Sequence, residues 1–94
     1  MVEEVIWIER AIKNFNRIIS YLKKEWSDPV AEEFRERTLV IIDTLVDFPG
    51  IGAKIKQRKV LRHFLISRHN YLVYRIYRNK LIVVDFIDTR KENI

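Results

Sequence analysis

The sequence predicts an α+β fold in two layers, with an antiparallel helical hairpin packed on a sheet that a three-stranded antiparallel meander completes. Three observations predict it: a short β-prone run near the N-terminus, two successive apolar patterns with helical spacing, and three later runs in which the spacing falls to two. A chain of 94 residues can bury only one core, so we expect residues 1–94 to form a single domain. The predicted order of elements is β-α-α-β-β-β.

The first strand and the first helix are predicted at the N-terminus. Val2–Ile8 is rich in Val, Ile and Trp, and Glu3 and Glu4 are charges of the kind that keep an exposed sheet edge from pairing with other chains. A helix is predicted from Glu9, because apolar residues then recur at steps of three and four. These residues are Ala11, Ile12, Phe15, Ile18, Ile19, Leu22 and Trp26.

A second helix is predicted after Ser27. Asp28 can accept hydrogen bonds from the free amides of a helix start, and Pro29 suits the first helical position, where no N–H is needed. The apolar positions that follow again have helical spacing, and Pro49 and Gly50 end the pattern. These positions are Ala31, Phe34, Ile41, Ile42, Leu45 and Phe48. Because the connection is short, we expect the two helices to be antiparallel.

Three strands are predicted after the stretch Gly50–Lys59, in which we expect the two glycines to make a turn. Val60–Ile66, Tyr71–Tyr77 and Leu81–Ile87 are β-branched and aromatic runs separated by short polar segments. One face of this meander takes the helices. Alternation places on that face Leu72, Tyr74 and Ile76 of the second run and Ile82, Val84 and Phe86 of the third, with Tyr71, Arg75, Tyr77 and Asp85 opposite.

Charge is divided unevenly at Phe48. Residues 1–47 carry seven basic and ten acidic side chains, a net charge of −3, whereas residues 48–94 carry eleven basic and three acidic ones, a net charge of +8. A positive field of this density attracts polyanions or acidic protein surfaces. We therefore expect nucleic acid or an acidic protein as a partner.

Composition excludes several other classes of site. Cysteine is absent, which excludes disulfides and thiolate metal sites and fits a reducing cytoplasm. His63 and His69 are the only histidines, so we expect no metal, and we expect no cofactor. Gly50 and Gly52 are too close together for a nucleotide-binding loop. The sequence has neither the pattern of a signal peptide nor a long apolar run, so we expect no membrane contact.

A pair of arginines is the sharpest clue to a site. If Ser67–Asn70 closes a regular hairpin, Ile66 lies opposite Tyr71, and this register places Arg62 across from Arg75 on the face away from the helices. Like charges directly opposed in a sheet are destabilising, so such a pair either holds an anion or is solvated. We predict a target-binding patch that contains Arg58, Arg62, Arg75 and Arg90.

The order of elements, taken with several short segments, resembles the RelE/ParE toxin superfamily over nearly the whole chain. The segments are Trp7 before the first helix, Phe48–Gly52 (FPGIG), Tyr71–Ile76 (YLVYRI) and the closing Phe86–Arg90 (FIDTR). The last of these is similar to the end of the ParE, or plasmid-stabilisation, branch. The resemblance implies a bacterial toxin that an antitoxin holds inactive.

The resemblance implies one of two toxic activities. Toxins of the ParE branch act on DNA gyrase, whereas those of the RelE branch cut ribosome-bound mRNA. The ribonucleases use a cluster of Lys and Arg, here Arg62, Arg75 and Arg90, and in the best-known form a Tyr near the C-terminus. No Tyr follows Tyr77 in this sequence. We therefore expect a ParE-like toxin that inhibits gyrase by binding, with an mRNA endoribonuclease as the alternative.

The resemblance also implies a hetero-oligomer with an acidic antitoxin. A tail of that partner would supply an amphipathic helix and an added strand, which are standard modes of peptide capture. We expect the helical hairpin and a sheet edge to receive it. The residues expected to contact the antitoxin are Trp7, Phe15, Tyr74 and Phe86.

A small DNA-binding module is a second alternative. Phe48–Lys54 also resembles the hairpin of helix-hairpin-helix modules, in which backbone amides at a helix start hold a phosphate. Those modules need a second helix after the hairpin. Val60–Ile66 has the pattern of a strand instead, which favours the toxin hypothesis.

Overall fold

The computed structural model describes residues 1–90 and has the predicted α+β architecture. Its elements are β1 (Glu4–Trp7), α1 (Glu9–Glu25), α2 (Asp28–Asp47), β2 (Ala53–Ile55), β3 (Arg58–Ser67), β4 (Asn70–Tyr77) and β5 (Lys80–Asp88). The strands form one sheet in the order β1-β5-β4-β3-β2, in which β1 is parallel to β5 and the other neighbours are antiparallel. The predicted fold class and order of elements are confirmed.

The start of α2 follows the predicted chemistry with a different capping residue. Ser27, not Asp28, is the N-cap: its hydroxyl accepts a hydrogen bond of 3.3 Å from the N–H of Val30. Asp28 lies in the first turn, where its charge favours the positive end of the helix dipole. Pro29 is also in that turn, at the second helical position and not the first one predicted for it. Only Trp26 and Ser27 separate the helices, which forces the chain to turn back.

One strand is present that the sequence pattern did not predict. Ala53–Ile55 forms β2, an edge strand that pairs with β3 through a two-residue turn at Lys56 and Gln57. Three residues are too few to establish a period of two, so the stretch Gly50–Lys59 had the pattern of a turn alone. It becomes a strand because β3 begins at Arg58 and offers its backbone groups for pairing.

A β-bulge in β5 changes which of its residues face the helices. The register of β4 and β5 shifts by one, so Val84 is left without a partner in β4. The prediction that Ile82 and Val84 face the helices is therefore wrong. Asp85, predicted on the opposite face, accepts a hydrogen bond of 2.6 Å from the side chain of Asn14 in α1. The β5 residues in the main core are Leu81, Val83 and Phe86.

The main core lies between the helices and one face of the sheet. Its buried members are Ala11, Phe15, Ile19, Ala31, Phe34, Ile42, Leu45, Ile66, Leu72, Tyr74, Leu81, Val83 and Phe86. A smaller cluster of Ile55, Leu61 and Val73 lies on the other face, which no helix of residues 1–90 covers and which we call the open face. None of the helices in the described residues is long and apolar enough to cross a membrane.

Candidate functional site

The predicted pairing of Arg62 with Arg75 is wrong. The register of β3 and β4 shifts by one near their shared turn, and Arg62 lies opposite Tyr74 instead. Tyr74 packs in the main core, and successive residues of a strand point to opposite faces. Arg62 therefore lies on the helix side of the sheet and Arg75 on the open face. The prediction assumed a regular hairpin. One extra residue in β3 reverses the face of the sheet on which Arg62 lies.

Arg62 holds the loop that leaves α2. Its Nη1 donates hydrogen bonds to the carbonyl oxygens of Gly50, at 3.0 Å, and Gly52, at 2.7 Å. Bonds from a charged donor are stronger than those between neutral groups, so this side chain ties β3 to the loop. At least one edge of its guanidinium is thus committed inside the chain.

Tyr74 holds the same loop from the adjacent strand. Its hydroxyl donates a hydrogen bond of 2.7 Å to the carbonyl of Pro49 and accepts one of 3.0 Å from the N–H of Gly52. Burial raises the pKa of Tyr74, and the bond from Gly52 and the charge of Arg62 offset part of that rise. The phenol is therefore neutral at physiological pH and can donate.

Arg75 is the predicted site residue that the open face carries. Its Nε is buried and has no hydrogen-bond partner in residues 1–90, while its guanidinium carbon lies 5.2 Å from the centroid of the Tyr77 ring. Buried donors almost always have a partner in native structures. Arg75 therefore retains bonding capacity that the described part of the chain does not use.

Arg90 and Arg58 occupy separate places. Arg90 donates to the carboxylate of Asp88 from Nε, at 3.0 Å, and from Nη2, at 2.8 Å. Hydrogen bonding to Asp88 and then its negative charge raise the pKa of Arg90. Arg58 is exposed where β3 begins and pairs with Ile55 of β2. The structure does not bring the four predicted arginines together.

Comparison with known proteins decides the family of this chain. Residues 5–94 match the profile of the ParE toxin of the type II toxin–antitoxin system parDE. The chain belongs to the ParE toxin family. This confirms the resemblance to the RelE/ParE superfamily that the sequence segments indicated. A comparison with curated proteins found no match to this chain.

Solved structures share the fold of this ParE-family chain at low sequence identity. A chain of the chromosomal ParDE system from P. aeruginosa superposes with a TM-score of 0.76 at 13% identity, over 94% of this chain and 96% of that one. A YoeB/ParE toxin from Agrobacterium tumefaciens gives a TM-score of 0.70 at 14% identity, over 92% and 98%. A mutant of YafQ from E. coli gives a TM-score of 0.59 at 11% identity, over 96% of both chains. Identities this low show the fold alone.

The four residues expected to contact an antitoxin lie in or beside the main core of this ParE-family chain. Phe15, Tyr74 and Phe86 are 6%, 0% and 4% exposed, and Trp7 is half-buried. The ring centroids of Trp7 and Phe15 are 5.3 Å apart, and those of Phe15 and Phe86 are 5.2 Å apart. In this conformation the rings of Trp7, Phe15 and Phe86 pack against one another. A partner cannot reach the buried rings of Phe15, Tyr74 and Phe86.

Other side chains of the ParE-family hairpin are exposed although apolar. The most exposed are Trp26 at 69% and Val40 at 63%. Others on the two helices are Ile12, Tyr21 and Leu39. The helical spacing places Ile12 and Trp26 in the apolar stripe of α1 and does not single out Tyr21, Leu39 or Val40. The available signal was an excess of apolar positions, such as adjacent Leu39 and Val40, over what one helix face can bury.

Proposed function

We propose that this chain is the toxin of a ParDE-like module in the bacterial cytoplasm and that it inhibits DNA gyrase by binding rather than by cleaving nucleic acid. One observation carries this choice: the three arginines of a ribonuclease centre are dispersed. Arg62 is bonded to a loop on the helix side, Arg75 lies on the open face, and Arg90 is paired with Asp88. Phosphoryl chemistry needs such groups within hydrogen-bond distance of one reacting atom. Their separation favours inhibition by binding.

The target surface proposed here is the basic β half. Residues 48–84 contain nine Lys and Arg and no Asp or Glu, so their field attracts an acidic region of a target and speeds encounter. Arg58 is exposed on the β2–β3 hairpin, and Arg75 is partly exposed on the open face. We assign these two as direct contacts. Arg62 positions the loop after α2, and Arg90 adds charge while bound to Asp88.

The antitoxin surface proposed here is the outer side of the helical hairpin together with β1. β1 is at the edge of the sheet, with β5 as its only neighbour in the described part of the chain. Glu3 and Glu4 discourage non-specific pairing at this edge, but its free backbone groups can still take a strand from a specific partner. Exposed Trp26 and Val40 can take the apolar face of an amphipathic helix. Acidic residues of the same partner would neutralise the basic half.

Two assays on the purified chain test the gyrase proposal. We expect it to inhibit supercoiling by gyrase and to leave mRNA intact in primer extension on a translating ribosome system. Arg58→Gln should weaken inhibition by about tenfold, whereas Arg17→Gln on exposed α1 removes the same charge and should change it little. Cleaved mRNA with normal supercoiling would overturn the proposal in favour of a ribonuclease.

A further inference from the structure

A lysine-lined cavity lies at the β2–β3 hairpin, beside Arg58 and within the basic half of the chain. Its volume is about 450 Å³, and its lining residues are Lys54, Ile55, Lys56, Lys59 and His63. The two-residue turn at Lys56 and Gln57 places the end of β2 beside the start of β3. Cations that are close in sequence are thereby gathered on one concave surface. The linear sequence does not group His63 with these lysines, because the pairing of β2 with β3 brings them together.

The charges in this cavity are not compensated within residues 1–90. Residues 1–90 contain four ion pairs, and none of them includes Lys54, Lys56 or Lys59. The nearest carboxylates in sequence are Asp47 and Asp85. Like charges that share a concave surface raise each other's energy, and an anion between them removes that repulsion.

His63 supplies a second, independent observation in the same cavity. Neither of its ring nitrogens has a hydrogen-bond partner in residues 1–90, and Nδ1 is buried as well. The ring is held edge-on against Tyr71, with the centroids 4.4 Å apart. A fixed imidazole with an unused polar atom on the wall of a cationic cavity indicates a site that a ligand completes.

We propose that this cavity binds a phosphate group. Lysine ammonium groups are compact charges with rotating donors, and a phosphate offers enough oxygens to accept from several of them and from an imidazole N–H. A carboxylate has two oxygens in a plane and is matched best by the fork of an arginine, which this cavity lacks. The volume lies within the usual range of ligand sites, about 300 to 1,000 Å³.

Titration of the full chain tests the phosphate site. The probes are inorganic phosphate, a nucleoside monophosphate and a short single-stranded oligonucleotide, with the His63 ring signals and the backbone signals of β2 followed by NMR at constant ionic strength. We expect saturable shifts with at least one probe. The variant Lys54→Gln with Lys56→Gln should lose about tenfold or more in affinity, since each lost charge-assisted bond weakens binding severalfold.

A matched double variant separates a site from a general field. Lys23→Gln with Lys24→Gln removes the same charge from the end of α1 and should change affinity by less than about twofold. Equal losses in the two double variants, or no saturation with any probe, would overturn the proposal. A backbone phosphate is the ligand if the oligonucleotide binds more tightly with a salt slope of about −0.7 per contact, and a free phosphate or mononucleotide is the ligand if the small probes bind as well.

The phosphate site and the gyrase proposal can fail independently. The titration contains neither gyrase nor an antitoxin, and its variants leave Arg58, Trp26 and β1 unchanged. A chain that inhibits gyrase without binding any probe retains its proposed function and loses this site. A chain that binds phosphate without touching gyrase retains the site alone.

Discussion

The hydroxyl of Tyr74 accepts a hydrogen bond of 3.0 Å from the N–H of Gly52 at the point where the loop after α2 crosses the sheet. The same hydroxyl donates to the carbonyl of Pro49, and Arg62 bonds to the carbonyl of Gly52. Two adjacent strands thus hold one short loop through its backbone. Because β2 follows this loop directly, the position of the lysine-lined cavity depends on these bonds.

Gly52→Ala should destabilise the fold. An added Cβ would lie 2.5 Å from the Tyr74 hydroxyl oxygen and 2.7 Å from Cε1 of its ring, and Tyr74 is fully buried. Gly52 does not have a positive φ, so the cost is steric. We expect a loss of about 1 to 3 kcal/mol in the free energy of unfolding, measured in urea. Gly50→Ala is the control, since no atom lies within 4 Å of its added Cβ, and equal losses would contradict the argument.

Tyr74→Phe should also destabilise, through hydrogen bonding. The change leaves the N–H of Gly52 and the carbonyl of Pro49 without their partner, and we expect a loss of about 1 to 3 kcal/mol in the free energy of unfolding. Tyr77→Phe removes a hydroxyl from a ring that is 47% exposed and keeps the ring beneath Arg75, so it should cost less than about 0.5 kcal/mol. Similar urea midpoints for both variants would rule out this role.

The stability contributed by Tyr74 should fall at alkaline pH. Its pKa is raised in the folded chain above the ordinary value of 10.0, mainly by burial, so the unfolded chain loses this proton first. The contribution is therefore complete below about pH 10 and decreases as pH rises from there through the folded-state pKa. Urea unfolding across this range should show a steeper decline for the parent chain than for Tyr74→Phe. Parallel declines would show that Tyr74 does not titrate in this way.

Replacing an aromatic residue of the core should lower stability, whereas replacing an exposed one should weaken antitoxin binding. Phe15→Ala removes a buried ring that contacts Trp7 and Phe86, so we expect a loss of about 3 to 5 kcal/mol in the free energy of unfolding. Trp26→Ala changes a ring that is 69% exposed, so unfolding should shift by less than about 0.5 kcal/mol. If Trp26 contacts the antitoxin, the Trp26→Ala chain should bind the antitoxin about tenfold or more weakly in calorimetry. Unchanged affinity would move the antitoxin surface elsewhere.

The local pattern of the chain was sufficient to predict every element except β2. The helices from Glu9 and Asp28 follow from apolar residues at three and four residue steps, and the last three strands follow from alternation. The uneven charge, with no acidic residue in 48–84, is likewise a property of the sequence. These features depend on neighbours within a few residues, which is why a single sequence predicts them.

The tertiary structure alone decided which side chains meet. One extra residue in β3 put Arg62 opposite Tyr74 instead of Arg75. The unpaired Val84 changed which residues of β5 face the helices. Side chains alternate with a period of two, so a bulge of one residue reverses every assignment beyond it, and bulges have no strong local signature. The sequence by itself thus determined the fold class, the family and a basic second half. Strand register and packing determined that the arginines are apart and that three lysines and His63 share a cavity.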